Sequence, residues 1–332
     1  MTQRSASAPR WLVAFAALAL FLAAPALGSP PPSANLLKNP GAEAGASGHG
    51  ELVGVPGWDL TGSFTVDDYG DTDRPSTDVG LAIYGGKNYF FGGPGKPVST
   101  ATQAVDVSAY ADEIDKGALA VSFGGYLGRY ASQRDSMDLR GEFLGSDGAA
   151  LKTIAITGPV SGTTTGFRLT IWTAAVPGGT RSIRVTLTAT RRDAYNNDGY
   201  ADNVELFLRE RTPAGTAGML GAMSPTFAAK TLSSLSASDA AAAVSLLAPK
   251  IAIGILGYSP VDSAKIVARL PPQAAAKILG YSPVDSAKIL AAMPFAAGLA
   301  VLRLEPPQDA RERLLKALPP EVALHYRVAL GR

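Results

Sequence analysis

Tyr195-Asn196-Asn197-Asp198-Gly199-Tyr200-Ala201-Asp202-Asn203 runs straight into Val204-Glu205-Leu206-Phe207-Leu208. The first nine residues crowd side-chain oxygens and a glycine into a loop. The next five alternate, with Val204, Leu206 and Leu208 on one side and Asn203, Glu205 and Phe207 on the other, which is the two-residue period of a β-strand. A loop so rich in carboxylate and amide oxygens suits a hard cation such as Ca2+. It is not an EF-hand. Counted from Asp193, the sixth position is Asp198 and not glycine, and the twelfth is Val204 and not glutamate. Asx hydrogen bonds closing a polar turn account for the same composition, so both readings stand at this point.

Upstream, strand-like runs recur between turn signals: Ala118 to Phe123, Leu139 to Leu144, Phe167 to Trp172 and Ser182 to Thr190. In the last, Ile183, Val185, Leu187 and Ala189 alternate with Arg184, Thr186 and Thr188, giving one apolar face and one wet face. Gly145-Ser146-Asp147-Gly148 and Pro177-Gly178-Gly179 read as turns. Many short strands joined by glycine-rich turns predict a β-sandwich over 35–209.

After Glu210 the composition changes. Thr212 to Gly218 reads as a flexible linker within 210–224. Residues 225–332 are rich in Ala and Leu, and Ile255 to Ile266 recurs identically as Ile278 to Ile289, an offset of 23 residues. Prolines head each half-repeat, and proline suits the first helical position because its missing N–H would have no partner there. Ser259 then stands at the N-cap with Asp262 at N3, and Ser282 and Asp285 repeat the pattern. Each helix is about two turns long, too short to persist alone. Ala264, Ile266 and Val267 must therefore pack on neighbours, with Tyr258 and Tyr281 expected over the joints. The prediction is an all-α short-helix repeat domain.

At the start, Arg4 and Arg10 precede an uncharged run from Trp11 to Leu27 that ends in small residues. This reads as a signal peptide over 1–28, followed by a Pro/Ser linker over 29–34. The expected address is exported: periplasmic, cell-surface or extracellular. No membrane span is expected once the signal is removed, because proline interrupts the later apolar runs. The chain holds no cysteine and two histidines, His49 and His325. Disulfides, thiol catalysis and a His-rich metal site are excluded. The net charge of +2 gives no sign of nucleic acid as a partner. The halves differ in sign: 15 Lys and Arg against 20 Asp and Glu over 35–209, and 12 against 7 over 225–332. The basic half could meet an acidic partner, an anionic envelope polymer or the β domain itself.

The β region resembles the CenC-like carbohydrate-binding type of galactose-binding-like jelly roll. The opening Asn35 to Glu43 resembles that family's first strand, and Pro56-Gly57-Trp58 follows where such modules carry Gly-Trp. Asn88 to Gly93 and Gln103 to Ser108 match mid-domain segments, while Val176 to Val185 and Asn197 to Val204 match the closing strands. The resemblance implies a jelly-roll sandwich, glycan binding, and a structural Ca2+ where the first strand meets the last. The matching positions are Glu43 and Asp202, with Asp198 a neighbour. Ala42 stands where the family has an aromatic, so packing there must differ. Residues 225–332 resemble the short-helix repeats of magnesium-transporter N-domains and flagellar switch proteins, which implies a fold and no magnesium function.

For sugar contacts the richest stretch is Gly124 to Asp135, where Tyr126, Arg129, Tyr130 and Arg134 combine stacking faces with hydrogen-bond donors. Trp58, Trp172 and Tyr89-Phe90-Phe91 read as core. Asp67 to Asp73 reads as an acidic surface loop, with a second cation site as the alternative. Asp138 and Glu142 share a strand face, the minimum for a glycosidase pair, but such pairs are common and no catalytic residue is assigned. The sequence thus predicts a non-catalytic binding protein. It would recognise a glycan or envelope polymer through a calcium-stabilised sandwich, with the helices offering protein contacts. The alternatives are a structural or adhesion protein with no sugar ligand and, last, a glycoside hydrolase.

Overall fold

Among the described residues, ten strands form two antiparallel five-stranded sheets, and a run of short helices follows them. The computed structural model describes residues 34–70, 73–159, 162–304 and 308–331. The expected signal peptide and all but the last residue of the linker after it lie outside them. The strands are β1 (Asp59–Thr61), β2 (Thr65–Asp68), β3 (Asn88–Phe91), β4 (Val98–Asp106), β5 (Leu119–Arg129), β6 (Ser136–Leu144), β7 (Ala150–Thr157), β8 (Gly166–Ala175), β9 (Ser182–Thr190) and β10 (Gly199–Glu210). One sheet has the order β1-β4-β9-β6-β7 and the other β2-β3-β10-β5-β8. Two short helices, α1 (Thr77–Ala82) and α2 (Ala111–Asp115), interrupt the strands.

The alternation read from the sequence sets the core. Leu187, Ile183 and Val185 of β9 meet Leu206, Val204 and Leu208 of β10 between the sheets, all essentially without solvent. The polar loop is shorter than its composition suggests, because β10 begins at Gly199. Its pairing with β5 slips between Asp202 and Glu205, a bulge that frees Asn203 at φ 45°. The N-terminal segment lies along the same strand. Asn35 Nδ2 donates to the Val204 carbonyl (2.9 Å), Leu36 N donates to the Leu206 carbonyl (2.9 Å) and Val204 N donates to the Pro40 carbonyl (2.9 Å). First and last segments of the sandwich are thereby joined.

Glu205 and Phe207 do not face water. Their side of the sheet is covered by α3 (Pro213–Ala222) and α4 (Pro225–Ser234), and Phe207, 2 % exposed, belongs to the helical core with Leu169 and Ile171 of β8 against it. Thr212 to Gly218, expected as a flexible linker, is instead the start of α3. Thr212 caps it by accepting from Gly215 N (3.0 Å), and Pro213 opens its first turn.

The helices continue as α5 (Ala237–Val244), α6 (Pro249–Leu256), α7 (Pro260–Val267), α8 (Pro272–Leu279), α9 (Pro283–Ala292), α10 (Phe295–Arg303), α11 (Gln308–Ala317) and α12 (Pro320–Ala329). Packing runs between next-but-one neighbours: α3, α5, α7, α9 and α11 form one row, and α4, α6, α8 and α10 the other. One 23-residue repeat is therefore one helix from each row, as in other solenoids. Ala264, Ile266, Val267 and Ile289 are buried as expected. Two details differ. Ser259 and Ser282 occupy the N-cap positions, yet their hydroxyls donate to Asp262 (3.1 Å) and Asp285 (2.8 Å) and take no helix N–H. Tyr258 and Tyr281 do not cover joints; they stand in solvent, and Tyr258 reaches the Tyr84 hydroxyl of the sandwich. Among the described residues no helix is long and apolar enough to cross a membrane.

Candidate functional site

The outer face of the β2-β3-β10-β5-β8 sheet is divided in two. One end lies under the helices. The other carries an aromatic cluster, in which Tyr89, Phe91 and Tyr200 are buried and Tyr69, Tyr130 and Phe167 close its edges. The strand period puts Tyr89 and Phe91 on this face, and Tyr200 enters from the neighbouring strand. Ring centroids lie 5.1 Å apart for Tyr89 and Tyr200 and 6.0 Å apart for Tyr69 and Phe167, within the range of edge-to-face and tilted pairs. Of Tyr89-Phe90-Phe91, all three are core as expected, but Phe90 points between the sheets with Trp58.

Carboxylates rim the cluster. Arg74 bridges Asp67 (3.0 Å) and Asp68 (2.8 Å). Tyr130 donates to Asp73 (3.3 Å) and Tyr200 donates to Asp198 (3.1 Å). Burial pushes the Asp198 carboxyl up to about 6. Asp135 organises the polar loop: it is fully buried and accepts from the backbone N–H groups of Arg192 (2.5 Å), Asp193 (2.9 Å) and Asp198 (2.9 Å). Its role could have been suspected from the density of Asx residues alone, but its partners are about sixty residues away in sequence.

The four candidate ligand residues do not share one face. Tyr126 is 6 % exposed, beside Glu205 and Thr226 under the helices. Arg134 is committed to Asp193, with Nη2 at 2.8 Å from Oδ1. Tyr130 keeps part of its ring in solvent at the edge of the cluster. Arg129 ends β5, is 2 % exposed and donates from Nη1 to the Gln133 carbonyl. It lines an open cavity with Phe167 and Arg168, which sequence reasoning placed on a strand without any binding role.

The metal candidates also divide. Glu43 and Asp202 stand together. An added Cβ on Gly41 would lie 3.4 Å from Asp202 Oδ1 and 4.0 Å from Glu43 Cγ, and Glu43 adds to the upward push that burial gives the Asp202 carboxyl. Glu43 Oε1 accepts from Lys87 N (2.9 Å) and Asn88 N (2.8 Å); Asp202 Oδ2 accepts from Tyr69 (2.6 Å). Asn39, Ala42, Tyr84 and Asn203, all in nearby loops, have φ between 45° and 58°, a concentration of backbone strain that surrounding contacts must hold. Asn88 adds a buried side-chain oxygen, Oδ1, with no hydrogen-bond partner. These oxygens fit a hard cation. Asp198 stands apart, with Asp135, Asp73 and Tyr200 around it. Among the described residues no three His, Asp or Glu side chains gather closely enough to hold a metal by themselves, so a cation at Glu43 and Asp202 needs amide, carbonyl or water oxygens as well.

Asp138 and Glu142 do share a face of β6. Four residues of strand separate them by roughly 13 Å, beyond the ~9.5 Å that sets the upper end for glycosidase carboxylates. Glu142 is also held by Arg140 (2.8 Å) and Arg184 (3.4 Å).

No protein-family model matches this chain, and no curated protein sequence matches it. Among solved structures, it is similar to a family 16 carbohydrate-binding module (20% identity, 52% of this chain and 99% of that chain, TM-score 0.32). A CBM4 structure is similar over 52% of this chain and 99% of its own, at 11% identity and TM-score 0.29. The enzymatically active domain of tailspike protein 4 from bacteriophage CBA120 is 19% identical over 52% of this chain, which spans only 21% of that domain, with TM-score 0.33.

Proposed function

We propose that this is an exported, non-catalytic glycan-binding protein whose sandwich takes a cell-envelope or extracellular polysaccharide at the open edge of the aromatic cluster. The observation that carries the reading is Tyr130 and Phe167. They are the partly exposed rim of an otherwise buried set of rings, with a cavity and carboxylates beside them. A ring whose far side is packed and whose near side is wet offers a rigid stacking surface at little entropic cost. Glycan-array screening of the chain lacking residues 1–28 tests the proposal. Binding of a defined glycan class that falls about tenfold or more in Tyr130→Ala, with the melting temperature kept, is the expected result. An array without a bound glycan sinks it and favours the second reading, a structural or adhesion protein, for which the burial of Tyr126 and the Arg134–Asp193 pair already speak.

Two accessory roles belong to the same proposal. A structural Ca2+ at Glu43 and Asp202 would draw further oxygens from Asn88 and the backbone and fasten the N-terminal segment to β10. Asp198 is too differently placed to share it. The helical rows would serve protein contacts. Tyr258 and Val261 recur as Tyr281 and Val284 one repeat later, and all four remain exposed, a periodic apolar display that a partner could read.

A further inference from the structure

Arg129 is a buried cation for which no carboxylate partner is found among the described residues. The only hydrogen bond found for its side chain there is the one given to the Gln133 carbonyl. Burying a guanidinium without an anion is costly, and natural structures keep such groups paired or aimed at a ligand. Its other amino group faces Gly162. An added Cβ on Gly162 would sit 2.8 Å from Arg129 Nη2, and Gly162 has φ +139°, so glycine is what leaves the approach clear. The space beyond is a cavity of about 150 Å³ that also meets Arg168, Thr164 and Phe167. It therefore offers a planar cationic fork at the floor and a second cation and a hydroxyl at the mouth. The strand period turns the Phe167 ring to the outer face with Tyr130, and Tyr130 follows Arg129 directly in the chain, so the cavity lies at the end of the sheet next to the stacking surface.

We propose that this cavity receives the carboxylate of an acidic sugar, so that the preferred glycan is a uronate-containing polysaccharide. The inference rests on the glycan reading above and adds the charge of the ligand to it. A carboxylate matches the guanidinium fork in plane and spacing, and such charge-assisted pairs are the strong and directional ones. The cavity is small, about five waters in liquid volume, which suits a carboxylate and part of one ring and leaves the rest of the chain to lie over Tyr130. The anionic balance of the sandwich as a whole does not oppose this, since the two arginines dominate the field at so short a range.

The test is titration calorimetry of the chain with oligogalacturonate, with oligoglucuronate, and with the methyl esters of both, which keep the sugar and remove the charge. At least one acid should bind, with its ester about tenfold to a hundredfold weaker. Arg168→Gln at the exposed mouth should weaken the acid and leave the ester unchanged, with a melting temperature near that of the parent, whereas Gly162→Ala should weaken the acid at some cost in melting temperature, because it strains the backbone and crowds Arg129. Arg129→Gln should abolish the preference; because it alters a buried group, it is read together with those two. Equal binding of acid and ester overturns the inference and leaves the glycan reading intact. A polyglutamate peptide bound as tightly as the acids overturns it in favour of a peptide site. Failure of both acids and both esters overturns the inference, while the glycan reading stands or falls on the array.

Discussion

Glu205 shows how one side chain can record an interface. It lies on β10 beneath α4, accepts from Ser224 (3.1 Å), and leaves Oε2 buried without a partner. Burial pushes its carboxyl up to about 8 from an ordinary 4.5. The folded chain therefore holds this proton more tightly than the unfolded chain. Stability is greatest below about pH 4.5 for this group, falls as pH rises, and reaches its floor above about 8. Glu205→Gln keeps the acceptor and removes the titration. Its melting temperature should match the parent at pH 5 and exceed it progressively up to pH 8; parallel curves would show that Glu205 ionises normally. Asp202 carries the complementary prediction. If Ca2+ sits there, chelation should lower the melting temperature of the full chain, by an amount corresponding to about 2.7 kcal/mol when calcium is a hundredfold above its dissociation constant. Asp202→Asn should erase that response, and a parent melting curve indifferent to chelator would leave the loop as a polar turn. At this scale the sequence was informative where a residue's neighbours are local or the partner is its own motif's other half. Glu43 and Asp202 stand together, whereas Tyr126 lies under the helices and Arg134 pairs with Asp193. What buries Tyr126 is a helix about a hundred residues later, and what occupies Arg134 is an aspartate 59 residues away.

Among the elements, the repeated helices α7 and α9 make a controlled comparison, because their first seven residues are identical. Ser263 donates to the Leu256 carbonyl (2.7 Å), while Ser286, its counterpart, is buried with its hydroxyl unpartnered. Ser263→Ala should destabilise by about 1 kcal/mol and Ser286→Ala should be neutral or stabilising, read from denaturant midpoints at unchanged slope. Equal effects would place both hydroxyls in the same environment. The proline spacing made the length of these helices legible in advance, since most start at a proline and the short interval sets an end, although α5 starts at Ala237 behind a Ser236 cap. The strands were less legible. β9 declared itself by alternation, but β1 and β2 are only three and four residues long, too short for any period to show. The helix α3 was hidden because Gly215 and Gly218 read as linker, and its burial against β10 outweighs their weak propensity.

For the whole molecule, the join between sandwich and helices is a core. Phe207 from β10 sits among Met219, Leu220 and Phe227, and Leu169 and Ile171 of β8 pack against the same cluster. The abrupt change in composition reads as two domains joined by a flexible linker, yet a change in periodicity says nothing about whether the faces on either side are wet. A fragment of residues 35–209 should bind a hydrophobic dye that the full chain does not, and Phe207→Asp in the fragment should suppress that binding. A fragment as dye-silent as the full chain would show that the face closes on itself. The two-row stack has a mechanical corollary. The sheet terminates it at one end, and beyond α3 and α4 each helix leans on neighbours within its own rows. Tension applied at the C-terminus meets a series of nearly identical small barriers and no single large one. Such a chain should yield as a staircase, one helix pair per step and about 23 residues of contour each, before the sandwich gives way. It would act as an extensible tether between whatever holds its tail and whatever its sandwich grips.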